Sequence, residues 1–275
     1  MISELISGGT VMRLGISTGC LYPMHTEKSL QALLREGFRR FEIFFNTYSE
    51  LECDYVDRLR AMLSDSGAAV VSIHPFLSPF ESYLLFSSYE RRFSDGLMMY
   101  ERLFSTAARL GCDKIVLHGM RCDFSSINTD EYIRRFRIMS ERARQYGVVI
   151  LQENVKGFVS SRHDFLRNMS GQMQGDAAFL LDVKQSVISG NDPCETALIM
   201  GSGLRHVHIS DISDDRCVLP GKGSLDFGRF FDTLNAIGYD GDIIIEVYRS
   251  SFGRISELKE AQIFLNKYLS KEETK

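Results

Sequence analysis

The stretch HVHISD, residues 206–211, decides how this chain is read. His206 and His208 alternate with Val207 and Ile209, and residues two apart in a strand share a face. Both imidazoles therefore point one way and both aliphatic side chains the other, after which the run breaks into a loop carrying Asp211, Asp214 and Asp215. Two histidines are an unusual filling for the interior face of a strand, and the flanking sequence has to explain them.

Working outward, short β-branched runs recur along the chain: 14–18, 40–45, 69–74, 114–119, 148–154, 178–183, 206–211 and 242–247. Amphipathic stretches separate them, among them TEKSLQALLREGF (26–38), CDYVDRLRAMLSDSG (53–67) and TDEYIRRFRIMSERARQYG (129–147). Gly37, Gly67, Gly111, Gly147 and Gly238 each stand just ahead of a strand, where a helix C-cap calls for the left-handed conformation. Thr129 or Asp130 is expected to open one helix, and Asp192 with Pro193 another that Gly201 closes. One strand plus one helix, eight times over, predicts a parallel sheet closed into a single (β/α)8 TIM barrel. The chain, 1–275, reads as one domain with its core at about 13–269, and the tail SKEETK is expected to fray. An open doubly wound sheet is the rival. It calls for a glycine-rich turn after the first strand, whereas the segment there is GCLYPMHTEKS.

Bulk properties narrow the function classes. Of 275 residues 44% are hydrophobic, and 32 Lys and Arg against 36 Asp and Glu leave a net charge of −4, which gives no general attraction for a polyanion. Six cysteines lie scattered without a CxxC pair, as expected of reduced thiols. MISELISGGTVMRLG lacks the basic start and apolar core of a signal peptide, and no apolar run reaches the ~20 residues that span a bilayer. The expectation is a soluble cytoplasmic protein with no membrane partner.

Barrel active sites form where strands end; Glu42 lies in the second strand, and the ends of the third to eighth carry His74, His118, Glu153, Asp182, His208 and Glu246. Singly, each has an ordinary reading, a hydrogen-bonded core histidine or a helix-capping acid. Together, the fifth to eighth strands bring three carboxylates and an imidazole to one rim, and buried like charges need a cation. Glu153, Asp182, His208 and Glu246 thus read as ligands of a divalent ion, Mn²⁺, Co²⁺, Mg²⁺ or Zn²⁺. His206, about 6.6 Å deeper by strand geometry, reads as a packing or supporting group.

LQENV (151–155), LLDVKQ (180–185), HVHISD, LPGKGSLDF (219–227) and IIIEVY (243–248), in that order, resemble the xylose isomerase-like TIM-barrel superfamily, which holds sugar isomerases and epimerases as well as endonuclease IV-type apurinic-site endonucleases. The likeness runs from LGIST (14–18) to IIIEVY. The epimerase branch implies a metal on the four residues above, with Glu153 and Glu246 exchanging a proton with the substrate. Gln185 stands where many members have a substrate-binding histidine. The endonuclease branch implies a second Zn²⁺ on His74 and His118 with Glu153. Its third zinc is not expected, because Gln185 and Cys217 replace two of three ligands. Glycines around Lys222 could bring that ammonium and backbone N–H groups near the mouth, and Arg249 and Asp211 are further candidates for substrate contact. The expectation is a metal-dependent sugar or sugar-derivative isomerase or epimerase working through an enediolate. The alternatives are a zinc-dependent phosphodiesterase and a sugar-binding barrel without catalysis. A small-molecule sugar is the expected partner, nucleic acid is not, and a homo-oligomer is expected only from the resemblance.

Overall fold

A computed structural model describes residues 12–124 and 126–269. The opening MISELISGGTV and the tail SKEETK, read above as a start without signal character and a fraying end, lie outside the described residues.

The strands are β1 (Arg13–Ser17), β2 (Arg40–Phe44), β3 (Ala69–His74), β4 (Lys114–Leu117), β5 (Val149–Glu153), β6 (Phe179–Asp182), β7 (Leu204–Ile209), β8 (Asp211–Ser213), β9 (Arg216–Val218) and β10 (Asp242–Ile245). All but β8 and β9 pair in parallel in the order β1-β10-β7-β6-β5-β4-β3-β2, and β1 joins β10 to β2 to close the barrel. The helices are α1 (Thr26–Arg35), α2 (Cys53–Asp65), α3 (Ser78–Leu84), α4 (Glu90–Leu110), α5 (Thr129–Arg144), α6 (His163–Met173), α7 (Val183–Ile188), α8 (Pro193–Met200), α9 (Phe227–Ala236) and α10 (Ser256–Leu269). Among the described residues no helix is long and apolar enough to cross a membrane, and all six cysteines are free.

Strands buried on both faces explain the near-continuous apolar runs. β6 and β10 are buried along their whole length. One face packs against the helices and the other fills the barrel. Leu151 shares a face with Glu153, Leu180 with Asp182 and Val116 with His118; these three, with Ala178, form an apolar cluster separate from the main helix-covered core. This apolar patch lies beneath the polar rim on the β4–β6 side of the barrel.

The five expected C-cap glycines all have positive φ. Asp192 caps α8 through a bond from Cys194 N–H, as expected. At α5 the cap is Asn128, one residue ahead of the expected pair, and it accepts from Glu131 N–H at 2.9 Å. Three elements escaped the sequence reading. α3 and α7, of seven and six residues, are too short to show helical periodicity. The loop expected after residue 211 is instead the β8–β9 hairpin, with Asp214 and Asp215 at φ 49° and 60°. Aspartate tolerates the left-handed region better than most residues.

Arg135 of α5 fixes the long β3–α4 connection. Its guanidinium, 2% exposed, donates to the carbonyls of Leu85 and Ser87, each at 2.8 Å, and pairs with Glu131 at 2.7 Å and Glu90 at 2.9 Å. Hydrogen bonds from Arg134 lower the Glu131 pKa to about 2 against the opposing effect of burial, with Arg135 adding to the shift. A depressed carboxylate pKa stabilises the fold above its ordinary range, so this contribution is lost as pH falls from about 4.5 toward 2. Arg135→Met is expected to destabilise the protein by about 2–4 kcal/mol in urea melts, since it orphans two buried carbonyls and removes its pairing with the more exposed Glu131 and Glu90. The variant should also lose part of the wild-type stability decline over that acid range.

Candidate metal centre

Seven of the eight barrel strands bring the predicted groups to one end of the barrel, where they fall into overlapping clusters of three or four within ligand reach. One atom from each of Glu153, Asp182, His208 and Glu246 lies within 4.8 Å of the others. His208 Nδ1 is 3.1 Å from Glu246 Oε2 and 4.0 Å from both Glu153 Oε1 and Asp182 Oδ2. Asp182 does two jobs. Its Oδ1 accepts the Gln185 N–H at 2.8 Å and so caps α7, which leaves Oδ2 facing the cluster.

Glu42, at the middle of β2, has the largest supporting role that sequence reading did not assign. Its Oε2 lies 2.9 Å from His208 Nε2 and 3.6 Å from His206 Nε2, and it accepts the Ser72 hydroxyl at 2.8 Å. A fully buried carboxylate against Nε2 favours the tautomer with the proton there, which leaves the Nδ1 lone pair facing Glu153, Asp182 and Glu246. The signal was present in RFEIFF, an acid inside an otherwise apolar strand. His206 belongs to this deeper layer, as expected.

Three carboxylates around a lone pair repel unless a cation joins them. The buried atoms His208 Nδ1 and Glu153 Oε2 have no hydrogen-bond partner despite their charged neighbours. Oxygen donors with one imidazole, two of them carrying orphaned atoms, fit a divalent ion. The electrostatics divide the carboxylates: burial, opposed by Lys184 and reinforced by Glu153 and Glu246, raises the Asp182 pKa to about 6, while against burial the His208 and Lys184 charges lower Glu246 to about 2 and His118 holds Glu153 well below the usual carboxylate range.

His74 and His118 join Glu153 in a second group able to hold a cation. His118 Nε2 lies 2.9 Å from Glu153 Oε2 and 3.1 Å from His74 Nε2, and His74 Nε2 is 3.8 Å from the same carboxylate oxygen. Burial works against the charged imidazole, yet the Glu153 charge carries the His118 pKa to about 9. Glu42, His206 and His208 form a third such group, and Cys217 belongs to none of the three among the described residues.

Above these groups opens a cavity of about 440 Å³, walled by Tyr22, Phe44, Phe76 and Tyr248 and carrying His74, His118, Glu153, Lys184, Gln185 and Glu246. Of the four expected ligands only Glu153 and Glu246 reach its surface. Gln185 is in the wall, and its Oε1 accepts from Lys156 N–H at 3.0 Å. Lys222, Arg249 and Asp211, also expected to contact substrate, are not among the residues lining this cavity. Lys222 lines a separate cleft with Arg254 and Phe264. Arg249 donates to the carbonyls of Phe252 and Gly253. Asp211 has both oxygens occupied by the N–H groups of Ile212, Gly221, Gly223 and Leu225. It holds the LPGKG loop, and only glycine fits at 223, where a Cβ would collide with the Ile212 carbonyl and the Asp211 carboxylate. Lys184 was read only as part of a motif lacking histidine, yet its side chain is buried between Asp182 and Glu246.

Residues 30–268 match a family described as the xylose isomerase-like TIM barrel. An uncharacterised Mycobacterium leprae protein is 22% identical over 94% of this chain and 98% of its own. Shorter matches are an inosose dehydratase of Lacticaseibacillus casei, 24% identical over 39% of this chain and 43% of that one, and a ketose 3-epimerase of Arthrobacter globiformis, 39% identical over 26% and 24%. Among solved structures, a D-tagatose 3-epimerase-like protein superposes with a TM-score of 0.78 at 20% identity, covering 94% and 97% of the two chains. D-psicose 3-epimerase of Clostridium cellulolyticum H10, solved with D-tagatose, gives 0.79 at 16% identity over 94% and 99%. IolI, solved with a zinc atom, gives 0.78 at 17% identity over 94% and 100%.

Asp211→Ala is expected to free the 219–225 loop. Limited proteolysis should cut this loop faster than in wild type, while far-UV circular dichroism stays unchanged.

Proposed function

The chain belongs to the xylose isomerase-like TIM barrel family, and on that footing we propose that it is a divalent-metal-dependent isomerase or epimerase of a sugar or sugar derivative. The observation that carries this reading is the division of labour among the four ligand candidates. Asp182 and His208 lie beneath the cavity, while Glu153 and Glu246 line it. Two cavity-facing carboxylates tied to a cation-binding floor are what proton exchange next to a carbonyl requires.

A divalent ion held by Glu153, Asp182, His208 and Glu246 would polarise a substrate carbonyl and stabilise the enediolate. The protein supplies the proton handling. In the barrel order β7 and β6 separate β10, which leads into Glu246, from β5, which ends in Glu153. The two carboxylates therefore reach the cavity from different directions. One takes the proton from the carbon beside the carbonyl and the other returns one, so either face of the planar intermediate can be protonated. Glu42 keeps His208 in the tautomer that can ligate, and the aromatic walls exclude water while the proton is held. The comparisons support this class of chemistry, since the ketose 3-epimerase and the inosose dehydratase among the relatives act on sugars and their derivatives by name.

A second reading, a two-metal phosphodiesterase, is favoured by one observation, the approach of His74 and His118 to Glu153. Metal analysis separates the two. One ion per chain supports the isomerase, and two zinc ions per chain turn the search toward phosphodiesters. Under the isomerase reading, a panel of ketoses in D₂O should reveal a substrate that takes up deuterium beside its carbonyl. Glu246→Gln should lower that exchange on the order of 10²–10⁴-fold. Exchange undiminished in the variant would refute the proposed proton transfer. Glu42→Gln, which leaves the ligands in place, should weaken metal binding on the order of 10–100-fold by titration calorimetry.

A further inference from the structure

Lys184 is a cation built into the place where a metal's charge is also needed. It sits at the start of α7, two residues after Asp182, and its side chain is only 6% exposed. Nζ lies 3.4 Å from Asp182 Oδ2 and 3.6 Å from Glu246 Oε2. These are the same oxygens that converge on His208 Nδ1. Its third neighbour is the face of Tyr248, with Nζ 4.7 Å from the ring centroid. A long, flexible side chain loses much rotamer freedom when buried in this way, and burying an ammonium costs more still unless it is paired. The pairing partners here are the two carboxylates expected to ligate the ion.

We propose that Lys184 is an internal counter-cation that sets the metal affinity of the site. The inference rests on the metal-dependent reading above. Without an ion, the ammonium neutralises Asp182 and Glu246 and keeps the crowded carboxylates compatible with the folded barrel. When a divalent ion binds those oxygens, the ammonium remains within a few ångströms of it, in a buried setting where like charges repel strongly. The ligand set is therefore weaker for cations than its three carboxylates imply, and the ion is exchangeable. Lys184 acts on the ion through the charge it shares with Asp182 and Glu246. The opposite role, a pin that merely orients the two carboxylates, predicts the opposite sign on removal, which makes the inference decidable.

The test is calorimetric titration of Mn²⁺ and Zn²⁺ into the metal-stripped full chain, as wild type, Lys184→Met and Lys184→Gln. Thermal melts in EDTA and in saturating metal accompany it. Removing the charge is expected to tighten metal binding on the order of tenfold or more, to lower the metal-free melting temperature, and to enlarge the rise on metal addition. If Lys184→Met does not fold without metal, Lys184→Gln carries the same sign test with a polar end group in place. Binding that is equal or weaker in folded variants, beside a wild type that takes one ion, overturns the role of Lys184 alone. Absence of metal binding in all three proteins overturns the metal-dependent reading together with it. Binding in the variants but not in wild type supports both.

Discussion

The constraint on which the site depends is electrostatic. Glu42, Glu153, Asp182 and Glu246 share one end of a barrel with four histidines and Lys184, and all of these except His118 and Glu246 are almost completely buried. Carboxylates at this density repel each other, and low polarity magnifies the repulsion. The fold tolerates them because each has a cationic or hydrogen-bonding neighbour: Glu42 has Ser72 and His208, Glu153 has His118, Asp182 has the α7 amide and Lys184, and Glu246 has His208 and Lys184. Two of these contacts are ionic without a hydrogen bond: His208 Nδ1 faces Glu246 and Glu153 Oε2 faces His118.

The barrel makes this crowding possible by separating its layers. A parallel strand sends alternate residues inward, so the residue two positions below each rim group also points inside. Below Glu153 and Asp182 those residues are Leu151 and Leu180, and the floor there is apolar. Below His208 the residue is His206, and the interior instead holds the Ser72–Glu42–His206 network. The site thus has a dry side under β5 and β6 and a hydrogen-bonded side under β2, β3 and β7. The polar side is the one that fixes the His208 ring.

Much of this was legible in the chain. The eight strands could be located because strands buried on both faces are dense in β-branched residues, and the C-cap glycines punctuate the helices that separate them. The ligand candidates were legible because a polar residue at the end of an apolar strand has few reasons to be there. Loop side chains were the hardest to place from the sequence. Asp211, Lys222 and Arg249 were assigned to substrate because they follow strands. A loop side chain, however, is directed by backbone groups that no periodicity reveals, and all three turn to their own loops or to a neighbouring cleft. α3 and α7 escaped for the related reason that one or two turns of helix leave no periodic trace.

The sequence by itself determined the (β/α)8 barrel, the rim and the identity of the groups gathered there, because alternation and strand order are local properties that closure of the sheet converts into position. Only the tertiary structure decided which of those groups face the cavity and which lie beneath it, that Glu42 holds His208 across the barrel, and that Lys184 lies between Asp182 and Glu246. Those facts rest on contacts between residues far apart in the chain, such as Glu42 and His208, 166 positions apart. They depend on distances of a few ångströms between side chains, which the chain encodes only through the packing of the whole barrel.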